Sequence, residues 1–234
     1  MLDINKPTER LLLTASKLCQ LFLCMSTSPK PPDQATVESW ITAGCEYDIE
    51  LSQWTETIPD RWLPLEVYSA QGETLLTYNR ITNAVVWNYY RAVRVMVQQL
   101  LLSLNATLTF IKATNKQFSS SQHISSSEPE SETALDEPAL KATIREMTTD
   151  VCRSLPFALA DVDSLGRPNK SDGPWQMRAA QGYGLLWPLW YILSSGMPTL
   201  AQADLIRTVL SRVGSTLGIK LALVLASEAE QRAG

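Results

Sequence analysis

The chain has 234 residues, 45% of them hydrophobic and 19% charged, which is the composition of a globular protein with room for one sizeable core or two small ones. Its formal net charge is −4; the segment Ser119–Glu137 holds five acids and no Lys or Arg, and the remainder carries 20 basic and 19 acidic residues. Phosphate contacts supply most nucleic-acid affinity, so the lack of a basic patch argues against DNA binding by this chain.

In chain order, Thr8–Met25 reads as a first helix. Leu11, Leu18, Leu21 and Met25 mark one face, and Lys17 and Gln20 interrupt the run, unlike a signal peptide. Pro29, Pro31 and Pro32 break it. Asp33 suits the N-cap of a second helical region reaching about Thr57, weakened in its middle by Gly44 and ended by Pro59. Arg61–Ala70 reads as a connector.

The stretch Tyr78–Leu104 has no Gly or Pro. Tyr78, Ile81, Val85, Tyr89, Ala92, Met96 and Leu100 form one apolar stripe, and Val86, Tyr90, Val93, Val97, Leu101 and Leu104 widen it. A helix so apolar is expected at the centre of a core. Its polar strip is Arg80, Asn83, Asn88, Arg91, Arg94 and Gln98, with Trp87 inside it.

Ala106–Glu137 reads as a long break. Its serine-rich, acidic part, residues 119–137, cannot bury enough apolar surface to offset its ordering entropy and reads as a disordered loop in the middle of a domain, with a linker between domains as the rival reading. Pro138–Ser154 is the next helix, stopped at Leu155–Phe157 around Pro156. Ala158–Trp175 is loop, Met177–Leu193 an apolar helix with Pro188 expected to kink it, and Leu200–Val213 and Leu217–Ala229 are two closing helices. No alternating strand pattern is evident and no run approaches 18 uninterrupted apolar residues, which argues against a membrane span. The expected class is all-α, an irregular bundle of about seven to nine helices around the central apolar one.

The residues offer no catalytic set. Cys19, Cys24, Cys45 and Cys152 show no CxxC spacing and the single histidine is His123, so no zinc site is expected and the cysteines read as buried free thiols. Asp48, Glu50, Asp60, Glu66 and Asp150 form no paired-carboxylate motif, and neither Gly182–Gly184 nor Gly214–Gly218 fits a nucleotide fingerprint, so no cofactor is expected.

Two groups are candidates for binding an effector. Arg80, Trp87, Arg91 and Arg94 could form a cationic, aromatic-lined pocket, or Arg stems could simply cover Trp87 at a helix interface. Tyr183, Trp187 and Trp190, beside Pro188, could line a cavity or be core.

The run VWNYYRAVRVM, from Val86 to Met96, resembles the "W-N-x-Y-R-x-x-R-I" helix of the C-terminal regulatory region of fungal zinc-cluster transcription factors. Trp54, Pro59 and Trp62 match the "W-x-x-x-x-P-x-x-W" segment that precedes it there. Ile144–Leu159 resembles that family's "I-x-x-x-A-x-D-I-C-A-S-V-P-F" helix end, and Gly182–Trp190 its "G-Y-x-L-L-W-P-L" helix. Ile206–Leu225 resembles its closing helices, with Leu217 where the pattern has Met and Lys220 where it has Arg. The resemblance covers roughly Cys45–Ala229. It implies an N-terminal helical extension, 1–44, and a helical regulatory domain, 45–229, interrupted by the acidic loop.

It further implies regulation of metabolic or secondary-metabolite genes in the nucleus, or the cytoplasm. The implied partners are the transcription machinery, a full-length regulator, a small effector or a second copy of the chain as a homodimer. The six-cysteine cluster of that family is not in this sequence, which reads as such a regulator's tail standing alone. The rival readings are an accessory protein or enzyme of a fungal biosynthetic gene cluster reusing the scaffold, and a gene fragment without activity.

Overall fold

A computed structural model describes residues 6–28, 30–119, 135–169 and 175–231. His123 and most of the acidic, serine-rich loop expected at 119–137 lie outside them. Among the described residues the protein is all-α, with seven α-helices, one short 3-10 helix and a single two-stranded hairpin. It divides into two compact units, Met1–Trp54 with Met96–Ala142, and Thr55–Val95 with Thr143–Gly234. The long apolar helix α3, Ile81–Ser119, gives its residues up to Val95 to the second unit and those from Met96 on to the first.

In the first unit, α1 (Pro7–Thr27) buries Leu11, Thr14, Leu18 and Leu21, one face of the expected amphipathic helix. Asp33 Oδ1 accepts from the Thr36 amide at 2.9 Å and so caps α2 (Gln34–Glu56). Thr14 Oγ1 and Lys17 Nζ both donate to Glu50, at 2.9 and 2.6 Å, and Trp54 Nε1 donates to the Pro7 carbonyl at 2.7 Å. These bonds tie α1 to α2.

Gly44 has a packing reason. A Cβ there would meet Leu101 Cδ2 at 2.8 Å, so the glycine lets α2 and α3 approach closely. Gly44→Ala gains about 1 kcal/mol of helix propensity and loses about 2 kcal/mol to overpacking against buried Leu101. The expected result is a net loss of about 1 kcal/mol by urea unfolding, the opposite of an exposed helical glycine.

The second unit begins with the 3-10 turn Asp60–Trp62 and an antiparallel hairpin, β1 (Leu65–Tyr68) with β2 (Thr74–Thr77), in the register Leu65↔Thr77 to Tyr68↔Thr74. The sequence reading missed this hairpin. Each strand has only four residues, too short for an alternation to stand out, and the turn depends on Gly72 at φ +84°. The hairpin therefore replaces the expected connector and delays the start of α3 to Ile81.

α4 (Glu137–Ala158) passes through Pro156 rather than stopping there. A proline in the last turn of a helix forfeits only one bond, and Ala160, at φ +60°, turns the chain just beyond it. α5 (Trp175–Ser194) is one helix through Pro188. α6 (Leu200–Thr216) starts with a capping box between Thr199 and Gln202, and α7 (Lys220–Gln231) packs with α5 and α6.

The expected break after Ala106 is also overturned, since α3 runs on to Ser119. By length and composition α3 is long and apolar enough to cross a membrane, a property core helices share. Its polar residues Asn83, Asn88, Arg91 and Gln98 are buried, while Ile81, Val85, Val86, Tyr89 and Met96 of its apolar stripes are only half-buried. The strip that reads as the polar side of α3 is thus among its most buried parts.

Candidate functional site

Arg91 is the centre of a buried polar network in the second unit. Its side chain is 1% exposed and makes three polar contacts, with Tyr78 Oη at 2.7 Å, Asn88 Oδ1 at 3.2 Å and Asp150 Oδ2 at 3.4 Å. Its guanidinium also sits over the Trp87 ring, 5.4 Å from the centroid. The Asn88 carbonyl accepts a second bond, from Ser154 Oγ at 2.9 Å, while the Asn88 amide nitrogen is buried without a partner. Burial holds the Tyr78 hydroxyl above its ordinary pKa, and the Arg91 charge only partly offsets it.

Asp150 also receives Arg153 Nη1 at 3.4 Å. Arg153 reaches on to Glu66 of β1 at 2.6 Å and to the Thr74 carbonyl of β2 at 3.3 Å. The hairpin is also held by Thr77 Oγ1, which donates to the Ser164 carbonyl at 2.9 Å. One chain of polar contacts therefore runs from α3 through α4 to the hairpin.

Trp87 belongs to the same closed core. It is 7% exposed, donates Nε1 to the Trp62 carbonyl at 2.7 Å and meets Tyr90 edge-on at 5.4 Å. Arg94 donates to the Tyr90 hydroxyl at 2.9 Å, and Arg80 is exposed at the start of α3. The four residues of the first candidate group are thus split. Trp87 and Arg91 have their functional groups spent on protein partners, so a ligand could not reach them without opening the core.

The second group is rearranged rather than buried. Trp187 stacks on Tyr89 of α3 at 5.3 Å and on Tyr191 at 5.9 Å, with ring planes 23° and 26° apart. All three rings are half-buried, and Tyr183, one turn before Trp187, is 64% exposed. Burial, and then the neighbouring Tyr183, raises the Tyr89 hydroxyl pKa; burial pushes Tyr191 up to about 12. Gly184 permits the contact, because a Cβ there would meet Val85 Cγ1 at 2.8 Å. Trp190 is outside the stack, with its Nε1 buried and unpaired.

Sequence reasoning missed Tyr89 and Tyr191 as members of this surface. Tyr191 follows Trp187 by four residues and was open to discovery by helical spacing. Tyr89 was masked by its place on an apolar stripe.

A separate cleft of about 180 Å³ in the first unit is lined by Arg10, Leu13, Thr14, Lys17, Glu50 and Gln53 among others, and contains no sequence-predicted site residue. Among the described residues no three Cys, His, Asp or Glu side chains gather in a way that could hold a metal ion. Cys19 and Cys24 are exposed and Cys45 and Cys152 half-buried, so the expectation of buried thiols holds for none of them in full. Burial raises the Cys152 thiol to about 11, away from a reactive thiolate. No family model, curated protein or solved structure matches the chain.

Proposed function

We propose that this chain is a regulatory module of the kind found C-terminally in fungal zinc-cluster transcription factors, acting through protein or effector contacts rather than through DNA. What supports this reading is where its motif residues meet. Trp87 donates to the main-chain carbonyl of Trp62, Ser154 donates to Asn88, and Arg91 pairs with Asp150. These residues come from three separate sequence blocks of the resemblance, and each polar member is used for a contact to another block. Their pattern is that of a scaffold, in which these groups hold the blocks together rather than face a ligand.

On this reading the effector surface is the Tyr89, Trp187 and Tyr191 stack with Tyr183 beside it. It is the part of the candidate set that keeps aromatic surface accessible. Flat rings with hydroxyl rims suit an aromatic or heteroaromatic effector, which stacks while its polar edge bonds to tyrosine. The module's place is the nucleus and its genes are metabolic ones, both carried by the resemblance alone.

The test tethers the chain to an unrelated DNA-binding domain upstream of a reporter in a fungal host. The wild-type chain is expected to change transcription, and Tyr183→Ala to lose that change while its unfolding curve stays within about 0.5 kcal/mol of wild type, as at an exposed site. A tethered wild-type chain without effect on the reporter overturns the reading.

A further inference from the structure

The cleft in the first unit has no role in the regulatory reading. It lies between α1 and α2, which run antiparallel there, with Trp54 Nε1 on the Pro7 carbonyl at one end and Lys17 Nζ on Glu50 at the other. Leu11, Leu51 and Trp54, each at most 5% exposed, give it an apolar floor, and Leu13 carries that lining to the rim. Packed helices ordinarily close such a seam by setting the side chains of one into the grooves of the other. Here about 180 Å³ stays open.

The charges around it are unequal. Arg10, Lys17 and Glu50 line the cleft and leave it one net positive charge. The carboxylate among them is already compensated, since Glu50 Oε2 accepts from Thr14 Oγ1 at 2.9 Å and Oε1 from Lys17 Nζ at 2.6 Å. The antiparallel pairing puts Arg10 one turn from Thr14 toward the Trp54 end, level with Gln53 on the facing helix. A guanidinium presents five N–H donors and a side-chain amide two. That end of the cleft offers donors from both walls above an apolar floor, the setting in which a guanidinium holds a carboxylate by two parallel bonds.

The volume selects the rest of the ligand. An apolar cavity of about 150 Å³ accepts one benzene ring, so 180 Å³ has room for a ring with a carboxylate and none for a second ring. A rigid ring also loses less conformational freedom on binding than an alkyl chain of the same size. We infer that the cleft between α1 and α2 binds a small aromatic monocarboxylate, with its ring against Leu11, Leu51 and Trp54 and its carboxylate on Arg10. The inference does not rest on the proposed regulatory role.

Titration of the isotope-labelled full chain with benzoate, followed by its amide and indole N–H chemical shifts, is the experiment. Saturable shifts are expected at Arg10–Lys17, Glu50–Gln53 and the Trp54 indole, with a Kd of about 1 mM, the scale for a ligand of about nine non-hydrogen atoms. Benzyl alcohol, of similar shape without the charge, should bind about tenfold more weakly, and Arg10→Gln should bring benzoate down to that level, as the loss of a charge-assisted bond implies. Arg10→Glu makes the lining net negative and should reverse the preference, from benzoate to benzylammonium. Arg10 is half-buried on α1, and unchanged shifts elsewhere in the spectrum show that both variants keep the fold. Shifts that fail to saturate, shifts centred outside the cleft, or benzoate no tighter than benzyl alcohol each overturn the inference. So does hexanoate binding more tightly than benzoate, because the cleft then does not select a ring.

Discussion

Asp150→Ala is expected to destabilise the protein by about 3 kcal/mol, the low end of the cost of stripping a buried ion pair of one partner. The reason lies in who is left behind. Arg91 is 1% exposed and Asp150 24%, so losing the carboxylate leaves a desolvated guanidinium with only Tyr78 and Asn88 for polar company. The reverse change should be gentler. Arg91→Met removes the buried charge itself and fills much of its volume, and Asp150 keeps both solvent and Arg153. Its expected cost is about 1–2 kcal/mol, chiefly from the Tyr78 hydroxyl left unbonded in the core. Urea unfolding of both variants reads the asymmetry directly. Equal costs would mean that the Arg91–Asp150 contact, at 3.4 Å, is incidental to the stability of the network.

Trp87→Ala should cost about 3–5 kcal/mol, the range for deleting a buried large aromatic side chain. It removes a ring held on three sides, by the Trp62 carbonyl, the edge-on Tyr90 and the guanidinium of Arg91. Tyr89→Ala should cost only about 1–2 kcal/mol, a value usual for partly exposed positions, because Tyr89 is half-buried and packs by one face on Trp187. The pair also bears on function. Tyr89→Ala is expected to stay folded and to lose regulation in the tethered reporter, whereas Trp87→Ala loses it only by unfolding. Should Tyr89→Ala prove as destabilising as Trp87→Ala, the aromatic stack is core and is not an effector surface.

These two expectations invert what the stripes of α3 suggest on paper. By periodicity Tyr89 stands with Val85 and Met96 on an apolar face, and Trp87 stands among arginines and asparagines on a polar one. Periodicity reports which residues share a side of a helix. It does not report which side is covered, and here α4 and the 3-10 turn supply partners for Asn83, Asn88, Arg91 and Trp87. A polar strip can be buried at tolerable cost once most of its groups have partners, and these partners lie 22 to 66 residues away along the chain.

The sequence by itself determined the helical class, the cap at Asp33 and the apolar character of α3, because each follows from local spacing and residue chemistry. The tertiary structure alone decided the hairpin, the reach of α3 to Ser119, the closure of the Trp87 and Arg91 group, and the choice of Tyr89 and Tyr191 as Trp187's stacking partners. Four-residue strands gain their stability from pairing across a turn, and a helix face gains its identity from what packs on it. Both are long-range effects, set by contacts that no window of neighbouring residues contains.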